Sequence, residues 1–304
     1  MPLLVPRDIT ATNPSASTLE ALNKINQYGP YGYEPNLGGA IVFTIVFGIC
    51  SAFILYRVFA RRAWWVLATL GVGAVFECAG NAVRIYGHWH ADVVNPYIAQ
   101  QVILVLTPAF IAACHFATLG KLGQAYPHQL PRFIRKPQWI TAFFVILDVA
   151  SLGIQGAGSG LAGSTEASDT DADVDTVNNY GLIVVGGLAL QLVGYLVFNV
   201  VFVLFSLRLH RAGLLDSGSR LRAFLIATWS ASALILIRST FRTVEMALGW
   251  IGPVATREWY YLVFDATLVA ASIVLLTLYS PADHVPTGEV VQQQAEKYID
   301  EEQA

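Results

Sequence analysis

Arg238-Ser-Thr-Phe-Arg242-Thr-Val-Glu245 lies inside an apolar stretch, residues 221 to 248, that is long enough to cross a bilayer. The two arginines and the glutamate stand at i, i+4 and i+7, which puts them on one helical face. A charge near the centre of a membrane helix costs about 2.5–3.5 kcal/mol on insertion scales, so such a stripe must meet partners or a wet cavity rather than lipid. The fold follows: a helical membrane bundle with a polar interior.

The rest of the chain agrees. Of 304 residues, 55% are hydrophobic and 13% charged, and the mean hydropathy is +0.53, a composition outside the range of soluble domains. Windows of about 20 apolar residues give seven spans, at 37 to 57, 63 to 86, 97 to 120, 138 to 156, 180 to 207, 221 to 248 and 257 to 280. They lack the strict alternation of barrel strands, so the chain is all-α. Residues 1–36 form a polar N-terminal segment without the apolar core of a cleaved signal. Residues 37–280 form the membrane domain, and residues 281–304 an acidic tail expected to be disordered.

Basic residues orient the bundle, because positive charge is retained on the cytoplasmic side. The first, third and fifth loops hold eleven: Arg57, Arg61, Arg62, Lys121, Arg132, Arg135, Lys136, Arg208, Arg211, Arg220 and Arg222. The opposite side holds only Arg7, Lys24, Arg84 and Arg257, together with the acidic run from Glu166 to Asp175. The N-terminus is therefore expected outside and the C-terminus inside. Cys50, Cys78 and Cys114 fall within spans and read as packing residues, and no basic cluster suggests nucleic acid.

Every span but the first carries polar side chains at helical spacing. Glu77, Asn81 and Arg84 share a face of the second, which fits either an internal ion pair with the span-six arginines or a ligand contact. Gly71, Gly73 and Gly80 allow a close neighbour there. In the third, Gln101, Pro108 and His115 recur every seven residues, and Pro108 frees a backbone carbonyl. Asp148 and Gln155 share a face of the fourth with Ser151; Gln191, Tyr195 and Asn199 follow on the fifth, and Glu258, Tyr261 and Asp265 on the seventh. Trp259 suits an interfacial anchor. Arg238 or Arg242 is expected to pair with Glu77, Glu258 or Asp265. With the bundle oriented as above, Glu77, Arg84, Gln101, Asp148, Gln155, Arg242, Glu245, Glu258 and Asp265 lie from the midplane outward. Three arginines then face five acids, so either some carboxylates are protonated or the layer accepts a cation, its amine meeting Asp148, Glu258 or Asp265.

Several motifs together resemble the fungal lipid-translocating exporter family, also called RTA-like proteins. They are Tyr31-Gly-Tyr-Glu-Pro35, Glu77-x3-Asn-x2-Arg84, Gln101-x6-Pro108, Asp148 to Gln155-Gly156, Gly187-x3-Gln191, Arg238-x3-Arg242-x2-Glu245-x2-Gly and Glu258-x6-Asp265. The resemblance runs over residues 31 to 280 and implies a seven-helix protein of the plasma membrane or an endomembrane. It also implies a role in export of sphingoid bases, resistance to sterol-like compounds or porphyrin uptake.

Function classes narrow accordingly. A translocator of membrane lipids or an amphiphilic small molecule, without cofactor, fits the polar layer best, and a seven-helix receptor with an outward pocket is the alternative. A retinal protein is excluded, since lysines occur only at positions 24, 121, 136 and 297, none within a span. A zinc hydrolase needs about three histidines around its metal, and only His115 lies within a span; an enzyme without zinc is the third reading, and the expectation is no enzyme.

The orientation predicts that an epitope placed between Glu166 and Asp175 is labelled on intact cells while a C-terminal tag is labelled only after permeabilisation. Labelling of the C-terminal tag without permeabilisation would overturn it.

Overall fold

Each of the seven apolar stretches forms one helix in the computed structural model, which describes residues 27, 31–90, 93–131, 137–168, 174–215, 219–248, 254 and 257–285. The helices are α1 (Leu37–Arg61), α2 (Trp64–Trp89), α3 (Val94–Ala125), α4 (Pro137–Ser168), α5 (Val174–Arg211), α6 (Arg220–Ala247) and α7 (258–278), and a single turn, α8 (Pro281–His284), follows. All seven long helices are long and apolar enough to cross a membrane. The acidic run from 169 to 173 lies outside the described residues, as does the tail beyond 285.

Local chemistry explains the ends. Asn36 caps α1 by accepting the Gly39 N–H at 2.9 Å, and Ser219 caps α6 by accepting that of Arg222 at 3.2 Å. Arg62 stops α1 in the left-handed region, at φ 53°. The start of the tail is held: Arg61 and Arg57 of α1 reach Asp283 at 3.0 and 3.5 Å, and His284 stacks on Phe224 of α6.

Two helices contain a π turn, Leu67–Gly71 in α2 and Leu262–Ala266 in α7. In α7 the Thr267 hydroxyl donates to the Leu262 carbonyl at 2.7 Å, five residues back. The wider turn shifts the face on which later residues stand, and Asp265 lies within it.

Sequence neighbours pack as spatial neighbours, and α7 returns to α1 to close a ring, while α3 also touches α5 and α6 across it. The α3 span is accordingly the most buried, 61% of it inside the protein. The outside is apolar: Phe53 of α1, Phe143 and Ile146 of α4 and Val200 of α5 all point outward. Charge is inside, with Glu77, Arg84, Asp148, Arg238, Arg242, Glu245 and Asp265 all buried. This inversion of the soluble pattern is what lipid as solvent demands. Exposed Trp64 and Trp139 ring one end of the bundle, Trp89 and Trp259 the other.

Lipid tails are as apolar as leucine, so close packing rather than water exclusion holds such helices together. Phe116 of α3 stands 4.8 Å from Phe198 of α5 and 5.2 Å from Phe144 of α4, ring centre to ring centre, joining three helices. The α2–α3 crossing runs over Gly80, where a methyl group would meet Leu104 at 2.7 Å. The α4–α5 crossing runs over Gly187, where it would meet the Ser151 carbonyl oxygen at 2.9 Å, whereas at Gly186 it would meet nothing.

That contrast between adjacent glycines is testable. Alanine in place of glycine gains about 1 kcal/mol in a helix, so Gly186→Ala is neutral or stabilising. Gly187→Ala must push two backbones apart, and overpacking of this kind costs about 1–3 kcal/mol. The expected result is a lower thermal midpoint in detergent for Gly187→Ala alone; equal midpoints would refute a tight seam.

Candidate functional site

Three arginines organise the interior, and each has taken one acid. Arg238 of α6 donates through Nε to Asp265 Oδ1 at 2.5 Å, the cross-bundle pairing its spacing predicts. Its Nη2 donates to the Leu104 carbonyl of α3 at 3.3 Å. Leu104 stands four residues before Pro108, whose ring nitrogen has no hydrogen to offer, so the proline creates the bare carbonyl that the guanidinium occupies. Arg242 pairs with Glu245 at 2.6 Å, one turn along its own helix, rather than with Glu77, Glu258 or Asp265. The i, i+3 spacing brings the two together without another helix having to move.

Arg84 of α2 takes Glu258 at 2.6 Å and is 1% exposed. Tyrosines surround it: Tyr261 of α7 faces it at 4.3 Å, with Tyr33 and Tyr31 at 5.5 and 5.8 Å, and the Tyr33 hydroxyl accepts from its Nη2 at 3.0 Å. An enclosed guanidinium against aromatic faces gains about 2 kcal/mol or more from the rings. Glu258 also accepts the Asn36 N–H at 2.7 Å, and Tyr31 donates to Gln100 of α3 at 2.8 Å. Burial pushes the Tyr31 hydroxyl up to about 12. Gly87 makes this possible, since a methyl group there would meet the Tyr31 oxygen at 2.5 Å. Residues 31–36 are thus fastened across the ends of α2, α3 and α7.

Two further buried acids, Glu77 and Asp148, form no ion pair among the described residues. Glu77, 3% exposed, meets neutral side chains, Thr107 and the Asn81 Nδ2, the latter at 3.4 Å, and the Asn81 Oδ1 accepts from Tyr261 at 3.5 Å. Asp148 of α4 is buried with Oδ2 unpartnered. Of the acids expected to meet an amine, Glu258 and Asp265 are already engaged by arginines, which leaves Asp148, joined by Glu77. The excess of two carboxylates has become two residues.

The amides sort by helix. Gln155 of α4 donates to Gln191 of α5 at 3.1 Å, tying those helices, and Gln101 donates to the Tyr97 hydroxyl at 3.2 Å on its own helix. The expected single layer is therefore two groups. One holds Glu77, Asn81, Arg84, Arg238, Glu258 and Asp265 between α2, α6 and α7; the other holds Asp148, Gln155 and Gln191 on α4 and α5. Among the described residues no group of three His, Cys, Asp or Glu is placed to hold a metal ion. The aromatic cage of Arg84 and the inward Gln100 escaped the sequence reading. Tyr31 and Tyr33 carried a signal in the motif before α1, whereas Gln100 differs from Gln101 only in helical phase.

A deeper network ties α3, α5 and α6. Ser232 donates to Asn199 Oδ1 at 2.7 Å, so it accepts from the Tyr195 hydroxyl at 2.9 Å; Tyr195 in turn accepts from His115 Nδ1 at 2.9 Å. The proton on Nδ1 leaves His115 Nε2 as a bare acceptor, buried without a partner among the described residues.

Comparison with known proteins places this architecture. Residues 70–287 match the family described as RTA1 like protein. The chain is 24% identical over 295 residues to the sphingoid long-chain base transporter RSB1 of Saccharomyces cerevisiae, covering 86% of this chain and 75% of that one. It is 28% identical over 262 residues to Protein RTA1 of the same yeast, covering 77% and 79%. With the lipid-translocating exporter-like protein RTA1 of Leptosphaeria maculans it shares 27% over 276 residues, covering 84% and 51%. No solved structure matches.

The pairings predict a rescue pattern. Asp265→Ala strands the Arg238 charge and should cost about 3–5 kcal/mol, whereas the apolar double change Arg238→Met with Asp265→Leu should recover most of it. For Arg242→Ala the restoring change is Glu245→Ala, not one at Glu258 or Asp265. Yield of monodisperse protein after solubilisation measures both, and rescue of Arg242→Ala by Asp265→Ala would contradict the assignment.

Proposed function

The chain belongs to the RTA1-like family of fungal seven-helix membrane proteins, and from that premise we propose that it translocates lipids or related amphiphiles, with a preference for a cationic head group. The observation that carries the preference is the surplus of buried acid: three arginines are each matched by one carboxylate, and Glu77 and Asp148 remain over. A protonated amine is the head group that would compensate a carboxylate left over in this way. The family and the names of the relatives, a sphingoid long-chain base transporter and a lipid-translocating exporter-like protein, support the same class.

Glu77 is the better seat for the head group. It lies beside the Arg238–Asp265 pair and Asn81, between helices whose outer faces are apolar enough to run along an acyl chain. The described bundle is closed around it, so entry requires the helices to part. The arginine-rich end carrying Arg57, Arg61 and Arg208 is assigned to the cytoplasm and the Arg84–Glu258 end to the outside, with the plasma membrane as the site of action. No chemical step is assigned to the chain.

In proteoliposomes the protein should accelerate movement of a fluorescent long-chain base over protein-free vesicles. Glu77→Gln, which keeps the shape and removes the charge, should slow that base several-fold while leaving a fluorescent diacylglycerol unaffected. Equal losses for both lipids would reject charge recognition, and no acceleration of any lipid would sink the translocator.

A further inference from the structure

Asp148 lies close to the middle of the α4 span, and the cavity it borders is lined by Pro108 and Ala112 of α3, Gln191 and Tyr195 of α5, and Ile235 and Ser239 of α6. The cavity measures about 10 Å³, room for about one water. Asp148 is 5% exposed and its Oδ2 has no hydrogen-bond partner among the described residues. We propose that Asp148 is the site of an exchangeable proton at the bilayer midplane, taken up and released as the protein cycles.

The surroundings select the proton over other cations. Calcium or magnesium needs six or more oxygen ligands and zinc about four strong donors, and one carboxylate among neutral side chains supplies neither set. An amine-bearing lipid head is too large for a space of one water. A proton needs no volume, and it removes the charge that burial disfavours.

The groups facing Asp148 from each packed element are neutral. On α5 the titratable one is Tyr195, whose hydroxyl already donates to Ser232. On α3 it is His115, behind Tyr195, with Nδ1 donating to that hydroxyl and Nε2 free to accept. On α6, Arg238 stands next to Ser239 in sequence, but Asp265 and the Leu104 carbonyl hold its guanidinium. Proton binding converts the carboxylate to a carboxyl and release reverses it, with no other bond made or broken.

Placement ties this site to the charged layer. Pro108 lines the cavity and frees the Leu104 carbonyl for Arg238 one turn earlier; Ser239, also in the lining, follows Arg238 directly. Any parting of α3 from α6 that releases Arg238 from Leu104 also opens the Asp148 cavity. Protonation and head-group access are thereby linked, a step that rests on the translocation reading above.

Two measurements on the full chain test this separately. In lipid nanodiscs, difference infrared spectroscopy across a pH titration should reveal carbonyl bands of protonated carboxyls at neutral pH. One component should vanish in Asp148→Asn and shift in Asp148→Glu, a variant that still reports if Asp148→Asn does not fold. A band unmoved by both variants, or none in the native protein, overturns the proposal whatever the protein transports. In proteoliposomes, a pH gradient should change the initial rate of a fluorescent long-chain base several-fold with the native protein. With Asp148→Asn the rate should be the same with and without the gradient; a sodium gradient should change neither. Equal gradient responses in both proteins would assign the effect to the probe's own amine and overturn the coupling. If no lipid moves at all, the translocation reading fails and the infrared result alone decides on the proton.

Discussion

A guanidinium in the middle of a membrane bundle must be neutralised, and Arg238 is neutralised twice, by the Asp265 carboxylate and by a carbonyl that exists only because Pro108 stands four residues later. This contact joins α3, α6 and α7. Asp265 reaches it from a π turn, so the irregular geometry of α7 and the proline of α3 serve one charge. In water an exposed ion pair is worth little, and even a buried one is no better than well-packed apolar residues. A partner missing by one helical step would leave a charge in hydrocarbon, which is costly.

The other pairs are local fastenings of two kinds. Arg242 and Glu245 satisfy each other along one helix and place little demand on its neighbours. Arg84 instead gathers Glu258, Tyr33, Tyr31 and Tyr261, and through Glu258 the backbone of Asn36, so the segment before α1 becomes a strap across one end of the bundle. The opposite end is fastened by Arg57 and Arg61 on Asp283. Between these fixed ends the helices carry the two carboxylates without bases.

Glu77 and Asp148 differ in what surrounds them. Glu77 is packed against charged neighbours, whose fields act on anything bound there. Asp148 has neutral walls and a space of one water. A carboxyl among charges suits recognition of a charged group, whereas one among neutral groups gains or loses a proton with little else changing. Pro108 and Ser239 line the Asp148 cavity, and Arg238, which adjoins Ser239 in the chain and binds the carbonyl that Pro108 leaves bare, acts on Glu77.

Much of this was legible in the chain. Seven spans followed from hydropathy, because no other arrangement satisfies that many apolar backbones in lipid. The inward faces followed from helical periodicity, since Arg238 and Asp265 cannot turn to hydrocarbon whatever they pair with. The surplus of two acids was a matter of counting. Which acids were surplus was not, because Arg84, Arg238 and Arg242 each had several carboxylates within the reach of sequence reasoning. Partner choice depends on helix rotation and depth, and a π turn changes the rotation without leaving a mark in the residue pattern of Leu262–Ala266. Gln100 turns inward beside Gln101 for the same reason: a step of about 100° per residue separates a buried amide from its neighbour. The tight seam at Gly187 and the open space at Gly186 look alike in one dimension and differ only once α4 is laid against α5. Composition and period set the solvent and the faces; three-dimensional packing alone assigned each charge its partner and left Glu77 and Asp148 without one.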